Sequence, residues 1–210
     1  GLRVPKDIIL KKEQAVSLHK IKDMLGTPVV IKPVSEGSSI GISIMENDRD
    51  ILAGIEKAFG FDQEILLEEY VSGREITCAV LGRHHLETLP LVEIIPKESH
   101  QFFDFDAKYT AGETNEICPA QIDSELQNEA SEMARNAHLA LQCRDWSRTD
   151  MIINKDMIYM LETNTIPGMT ETSLVPLAAK GNGWNLGQLL DKMIGTCLAE
   201  PEKKGEIEIS

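Results

Sequence analysis

Residues 146–176 read WSRTDMIINKDMIYMLETNTIPGMTETSLVP. Trp146–Asn154 and Met157–Thr163 are two β-rich runs around the turn-like Lys155-Asp156, the pattern of a pair of antiparallel strands. Arg148 and Asp150 lie two residues apart, so their side chains share one sheet face, and the same holds for Glu162 and Asn164. If the strands pair, three hard oxygen ligands and a guanidinium converge, a donor set that suits Mg²⁺ with its bound phosphates. A surface salt-bridge ladder would use the same residues. Pro167-Gly168-Met169-Thr170 follows at once and favours the site, because such a loop can offer backbone N–H groups to an anion.

Upstream, the first 70 residues alternate between helical and strand periods. Strands are expected at Ile8–Leu10, Pro28–Val34, Gly41–Met45 and Glu64–Val71, with helices at Glu13–Leu25 and Asp50–Phe59. The apolar run PVVIKPV carries a single lysine, Lys32, which elsewhere would be a snorkelling edge residue. Here it runs into Ser35–Gly41 (SEGSSIG). Gly37 and Gly41 let the backbone bend over a ligand, and Ser38 and Ser39 offer hydroxyl and N–H donors to phosphate oxygens. No GK[ST] follows, so this is not a Walker A loop. Glu68-Glu69-Tyr70-Val71, with Glu75 close behind, is either an exposed acidic strand end or the hinge of an adenosine site.

A second block follows. Arg74–Leu81 and Glu87–Ile95 are β-rich, residues 99–116 are a long functional loop, and Ser124 with Gln127 forms a capping box opening a helix to about Leu141. Helices near Ser173–Lys180 and Leu186–Leu198 complete the chain. The organisation is a small α/β unit over 1–71, a larger α+β unit over 72–200 and a polar tail over 201–210. Two facing open sheets would leave a ligand cleft between them.

The bulk numbers set limits. The chain has 210 residues, 42% hydrophobic and 26% charged, as in a globular protein. No apolar run approaches the roughly 18 residues of a membrane span, and residues 1–20 do not read as a secretory signal. A net charge of −13 argues against nucleic-acid binding but leaves room for a phosphate site with a few local cations. Cys78, Cys118, Cys143 and Cys197 lack metal-ligand spacing and read as buried, reduced thiols of a cytoplasmic protein.

IKPVSEGSSIGIS, EEYVSGREIT, FDFDAKYTAGET and SRTDMIIN…YMLETNTIPGMTETSLVP occur in the order found in D-alanine–D-alanine ligases, and over nearly its whole length the chain resembles that family. The resemblance implies an α+β ATP-grasp fold, with two α/β subdomains whose open sheets enclose a nucleotide cleft. It implies an ATP-dependent carboxylate–amine ligase that joins two D-alanines through an acyl phosphate for peptidoglycan synthesis. Lys32 would contact the nucleotide phosphates, with Ser38 and Ser39 in the loop over them. Glu68, Glu69 and Val71 would form the adenine hinge, and Glu75 would meet the ribose. Lys108 and Tyr109 would sit in a covering loop, Lys108 reaching the transferred phosphate. Asp150, Glu162 and Asn164 would bind two Mg²⁺ ions, for which Mn²⁺ could substitute. Arg148 and the Gly168 N–H would stabilise the oxyanion, and Ser173 and Leu174 would receive the second D-alanine's carboxylate.

Family members begin with a further α/β domain that helps bind the first D-alanine and supplies much of a homodimer contact. This chain starts after it, so the expectation is Mg-ATP binding with weak ligation. Asp145 stands where a glycine is more usual. Lys108-Tyr109 favours dipeptide formation over the D-alanine–D-lactate relatives. Retention of Arg148, Asp150, Glu162 and Asn164 speaks against a non-catalytic nucleotide-binding module.

Overall fold

The computed structural model describes residues 1–37, 40–83, 85–96 and 114–198. The first sheet contains β1 (Asp7–Lys11), β2 (Val29–Pro33), β3 (Ser43–Met45) and β4 (Glu64–Glu69) in the order β1-β4-β2-β3. All its pairs are antiparallel. Odd positions of β2 and β4 point to one face, where Val29, Ile31, Ile65 and Leu67 are fully buried. They pack with Ile21 and Leu25 of α1 (Leu18–Leu25) and Ile51 and Ile55 of α2 (Asp48–Ala58). Even positions face the other way and are left for a ligand.

The second sheet is also antiparallel. Its order is β10 (Met157–Asn164), β9 (Trp146–Asn154), β5 (Arg74–Leu81), β7 (Val92–Pro96) and β8 (Thr114–Ile117), with β6 (Glu87–Thr88) paired to β5. One face carries Ile76, Cys78, Val80, Met151, Ile153 and Ile158 against α3 (Ser124–Ala140). On the opposite face Ala79, Leu81, Val92 and Ile94 pack under α4 (Leu174–Gly181) and α5 (Leu186–Leu198). β5 is therefore covered on both sides along most of its length, which accounts for its near-continuous apolar run. The part of this second face beyond α4 and α5 is open toward the first sheet.

Several local expectations shift. The first helix begins at Leu18, not Glu13: Ser17 caps it, its hydroxyl accepting from Lys20 N at 3.4 Å, while Gln14 closes a turn onto Lys11. The run Glu87–Ile95 is two strands, because Pro90 has no N–H to donate to a ladder. The long loop expected over 99–116 ends earlier, in β8; residues 97–113 lie outside the described residues. The cap of α3 is Asp123, whose carboxylate accepts from Glu125 N at 3.1 Å and Leu126 N at 2.9 Å. Gln127 reaches back to the carbonyls of Ala120 and Ile122, so the capping box expected at Ser124 is not formed.

All four cysteines are free, but only Cys78 is buried, and burial pushes its thiol up to about 12. Cys118 and Cys143 are half-buried and Cys197 is exposed, so the expectation of four buried thiols is corrected. Asp145 has φ +69°, a left-handed backbone that favours glycine. Its carboxylate receives Arg83 Nε at 2.9 Å and Nη2 at 2.6 Å. Among the described residues, no helix is long and apolar enough to cross a membrane.

Candidate functional site

Between the two sheets lies a cleft of about 510 Å³. Its first wall is the even face of the small sheet, with Val30, Lys32, Ile44 and Glu68; its second is the open face of the large sheet, with Glu75, Ile94, Asp150, Ile152 and Glu162. Glu69, Tyr70 and Val71 line the end where the chain crosses from one sheet to the other. Apolar walls with a few convergent charges are what a small-molecule site requires.

Lys32 and Glu68 stand on neighbouring strands, with Val30 opposite Glu68 and Lys32 opposite Leu66. The Lys32 Nζ lies 2.7 Å from Glu68 Oε2, and the two side chains are 20% and 10% exposed. The pair holds a cation at the cleft wall instead of letting it extend into water. The Glu69 carboxylate is turned away: it accepts the Lys6 N–H at 3.0 Å, and the Lys6 ammonium is 3.7 Å from it. What residue 69 presents to the cleft is its backbone. Ser38, Ser39, Lys108 and Tyr109 lie outside the described residues.

Asp150 and Glu162 are directly opposite each other on β9 and β10, and Arg148 is opposite Asn164. A β-bulge makes this possible. Met160 pairs with Met151 and Glu162 with Asp150, leaving Leu161 as the extra residue. In an unbroken register Glu162 would oppose Thr149 and share its buried face. With the bulge that place goes to Thr163, whose hydroxyl lies 3.0 Å from that of Thr149, and Leu161 and Glu162 both line the cleft.

The Asp150 carboxylate takes three donors. Arg148 gives Nε to Oδ1 at 2.9 Å and Nη2 to Oδ2 at 2.7 Å. Thr77, opposite Asp150 on β5, gives Oγ1 to Oδ1 at 2.6 Å. The Asn164 side-chain oxygen accepts the Ile166 N–H at 3.0 Å, which shapes the loop leaving β10. In that loop Gly168 lies against Ser173: a Cβ at 168 would come within 2.8 Å of the serine Oγ. The Ser173 Oγ accepts the Thr170 N–H at 3.1 Å. Leu174 is only 9% exposed and its side chain packs in the core under α4, so only its backbone faces outward, at the start of that helix.

Lys32, Glu68, Glu69, Val71, Glu75, Asp150 and Glu162 are thus brought to one cleft, with Arg148 bonded to its floor. Gly168 and Ser173 form a neighbouring loop and do not line it. Thr77 and the Leu161 bulge escaped the sequence reading. Strand alternation from Glu75 would have put Thr77 on the cleft face; the bulge has no local sign. Among the described residues no group of three His, Cys, Asp or Glu side chains is set to hold a metal. Asn164 is not among the lining residues and its side-chain oxygen is engaged by Ile166, so Asp150 and Glu162 are the share this cleft offers a hard cation that keeps waters and phosphate oxygens as its other ligands.

The sequence pattern described as "D-ala D-ala ligase C-terminus" matches residues 1–195. The chain belongs to that family. A D-alanine–D-alanine ligase of Syntrophobacter fumaroxidans is 48% identical over 200 residues, covering 95% of this chain and 64% of the relative. One from Desulfotalea psychrophila is 47% identical over 184 residues, covering 86% and 57%. The chain therefore spans about three-fifths of these relatives' length. Among solved structures, the VanG D-Ala:D-Ser ligase of Enterococcus faecalis superposes with a TM-score of 0.83 at 38% identity, over 93% of this chain and 57% of that one. The Bacillus anthracis D-alanine–D-alanine ligase complexed with ATP superposes with a TM-score of 0.76 at 28% identity, over 94% and 60%. The fold is the ATP-grasp fold of these ligases, with mixed helices and two antiparallel sheets.

Proposed function

We propose that this chain is the ATP-binding, catalytic part of an ADP-forming D-alanine–D-alanine ligase of cytoplasmic peptidoglycan-precursor synthesis. The observation that carries the proposal is the paired register of Asp150 and Glu162 on the floor of a cleft whose roof holds the Lys32–Glu68 pair. Adenine would lie against the backbone of 69–71, with Glu68 beside it and Glu75 near the ribose hydroxyls. Lys32 would meet the phosphates, with Ser38, Ser39 and Lys108 as further contacts and Tyr109 beside them. Asp150, Glu162 and Asn164 would hold two Mg²⁺ ions, or Mn²⁺ in their place, which would supply positive charge to the phosphoryl oxygens.

In the first step a carboxylate oxygen of one D-alanine bonds to the γ-phosphorus while the bond to ADP breaks, giving an acyl phosphate. In the second, the amine of another D-alanine bonds to the acyl carbon, a tetrahedral oxyanion forms, and phosphate leaves as the amine loses its proton. The residues have distinct tasks. Arg148 forks onto Asp150, and its guanidinium would turn to the oxyanion, which the Gly168 N–H would also meet. The loop from Gly168 to Ser173 and the start of α4 would receive the second substrate's carboxylate, as helix N-termini do. The apolar walls exclude the water that would hydrolyse an acyl phosphate.

The test is a calorimetric titration of this chain with ATP, with and without Mg²⁺. Binding that strengthens with Mg²⁺ is expected; equal binding in EDTA and Mg²⁺ would remove Asp150, Glu162 and Asn164 from the metal role. The likeness to a D-Ala:D-Ser ligase favours one second reading, in which D-serine is the second amine. Analysis of the products formed by the full-length protein from D-alanine alone, then with D-serine or D-lactate added, separates the readings. D-Ala–D-Ala as the main product is expected. The homodimer of the full-length protein belongs with this proposal and is read by light scattering.

A further inference from the structure

Thr77 is 2% exposed in the middle of β5 and makes the shortest hydrogen bond to the Asp150 carboxylate, 2.6 Å to Oδ1. A buried hydroxyl needs an acceptor, and Thr77 has another at hand: the Thr149 carbonyl is 3.1 Å from its Oγ1. Its single proton can serve only one of them. The charge-assisted and shorter contact is the one to Asp150. Satisfaction of the hydroxyl therefore does not require Asp150 to be where it is.

The other donors on that carboxylate come from Arg148, a cation two residues along the same strand. A metal ion and a guanidinium repel one another and compete for the same lone pairs. Thr77 is neutral and approaches from the adjacent strand, opposite Asp150 in register. It takes one lone pair of Oδ1, and the other contacts on the carboxylate are those of Arg148, for which a metal ion would compete. Threonine is branched at Cβ, so its rotamer is restricted within a strand. We propose that Thr77 is the positioning residue that orients the Asp150 carboxylate toward a divalent cation in the cleft. The proposal rests on the metal reading of Asp150 given above. No proton leaves Thr77 and it does not touch the ligand.

The test compares Thr77→Val, which keeps the shape without the hydroxyl, Thr77→Ala, and Thr77→Ser, which keeps the hydroxyl. The readout is the gain in affinity for the non-hydrolysable β,γ-imido analogue of ATP on adding Mn²⁺, by calorimetry, with the Mn²⁺ electron-spin resonance signal followed in parallel. Wild type and Thr77→Ser are expected to show the same gain within about twofold, while Val and Ala lose about tenfold, the usual effect of removing a group behind a metal ligand. Affinity in EDTA should stay unchanged in all four. A full gain in Thr77→Val, or a loss in Thr77→Ser as large as in Val, would overturn the proposal; loss in Ala and Ser alone would assign the effect to packing and do the same. No Mn²⁺-dependent gain in wild type would instead remove the metal reading of the cleft, and the Thr77 proposal with it.

Discussion

His138 is buried on α3, 1% exposed, with Nδ1 2.8 Å from the hydroxyl of Ser147 on β9 and, among the described residues, no hydrogen-bond partner for Nε2. Burial lowers its pKa, outweighing the opposing pulls of Asp145 and of the Cys143 backbone contact. The folded protein takes up a proton at this ring less readily than the unfolded chain does, so stability falls as pH drops below the ordinary histidine range. Thermal unfolding from pH 7.5 to 5.5 should show that slope, and His138→Gln should flatten it; an equal slope in the variant would assign the loss to other groups. At this scale the sequence was informative about the charged residues of the cleft. Arg148, Asp150, Glu162 and Asn164 stood out because four polar groups at spacings of two are unusual in apolar strands. Thr77 did not, since threonine is ordinary in any strand and only its contact with Asp150 distinguishes it.

The strands of the second half were legible as elements because their apolar runs are uninterrupted between turns: β5 and β9 fall where the pattern puts them. The helix starts were not, because Ser, Asp and Gln near a start can cap in more than one frame. Asp123 wins at α3 with two N–H bonds, whereas Ser124 is already the first helical residue. Asp123→Ala should therefore lower stability by about 1 kcal/mol in chemical denaturation, with Ser124→Ala near neutral; the reverse order would restore the capping box. The pairing of β9 and β10 was legible too, but not which faces would coincide. Alternation fixes each strand's own faces, and only the unpaired Leu161 brings Glu162 onto the same side as Asp150. A bulge of this kind follows from tertiary packing, here of Thr163 against Thr149, and leaves no period in the sequence.

The two-sheet plan was readable from the change of pattern near Ser72, and the cleft from the facing of two open sheets, but the path of the first residues was not. Leu2 packs on the core beneath the large sheet, the Met160 N–H donates to the Arg3 carbonyl at 2.9 Å, and the Arg3 guanidinium sits 5.8 Å from the centre of the Tyr159 ring. Three residues on, the Lys6 carbonyl accepts from Glu69 N at 3.0 Å and β1 begins in the small sheet. Such a short, aperiodic stretch carries no strand signal of its own; its place is set by the edge of β10. Removing residues 1–5 should lower the thermal midpoint and speed amide exchange at Met160, while leaving the exchange of the β5 core unchanged. Unaltered exchange at Met160 would show that the edge does not depend on this segment. The two sheets are thus joined twice, by residues 4–6 and by 70–73, at spots tied together by the Lys6–Glu69 bonds. A jaw fixed to its base by one cord can twist and slide; one fixed by two adjoining cords turns mainly about the line through them. Opening of the mouth then changes its gape while Lys32 and Asp150 stay on facing walls.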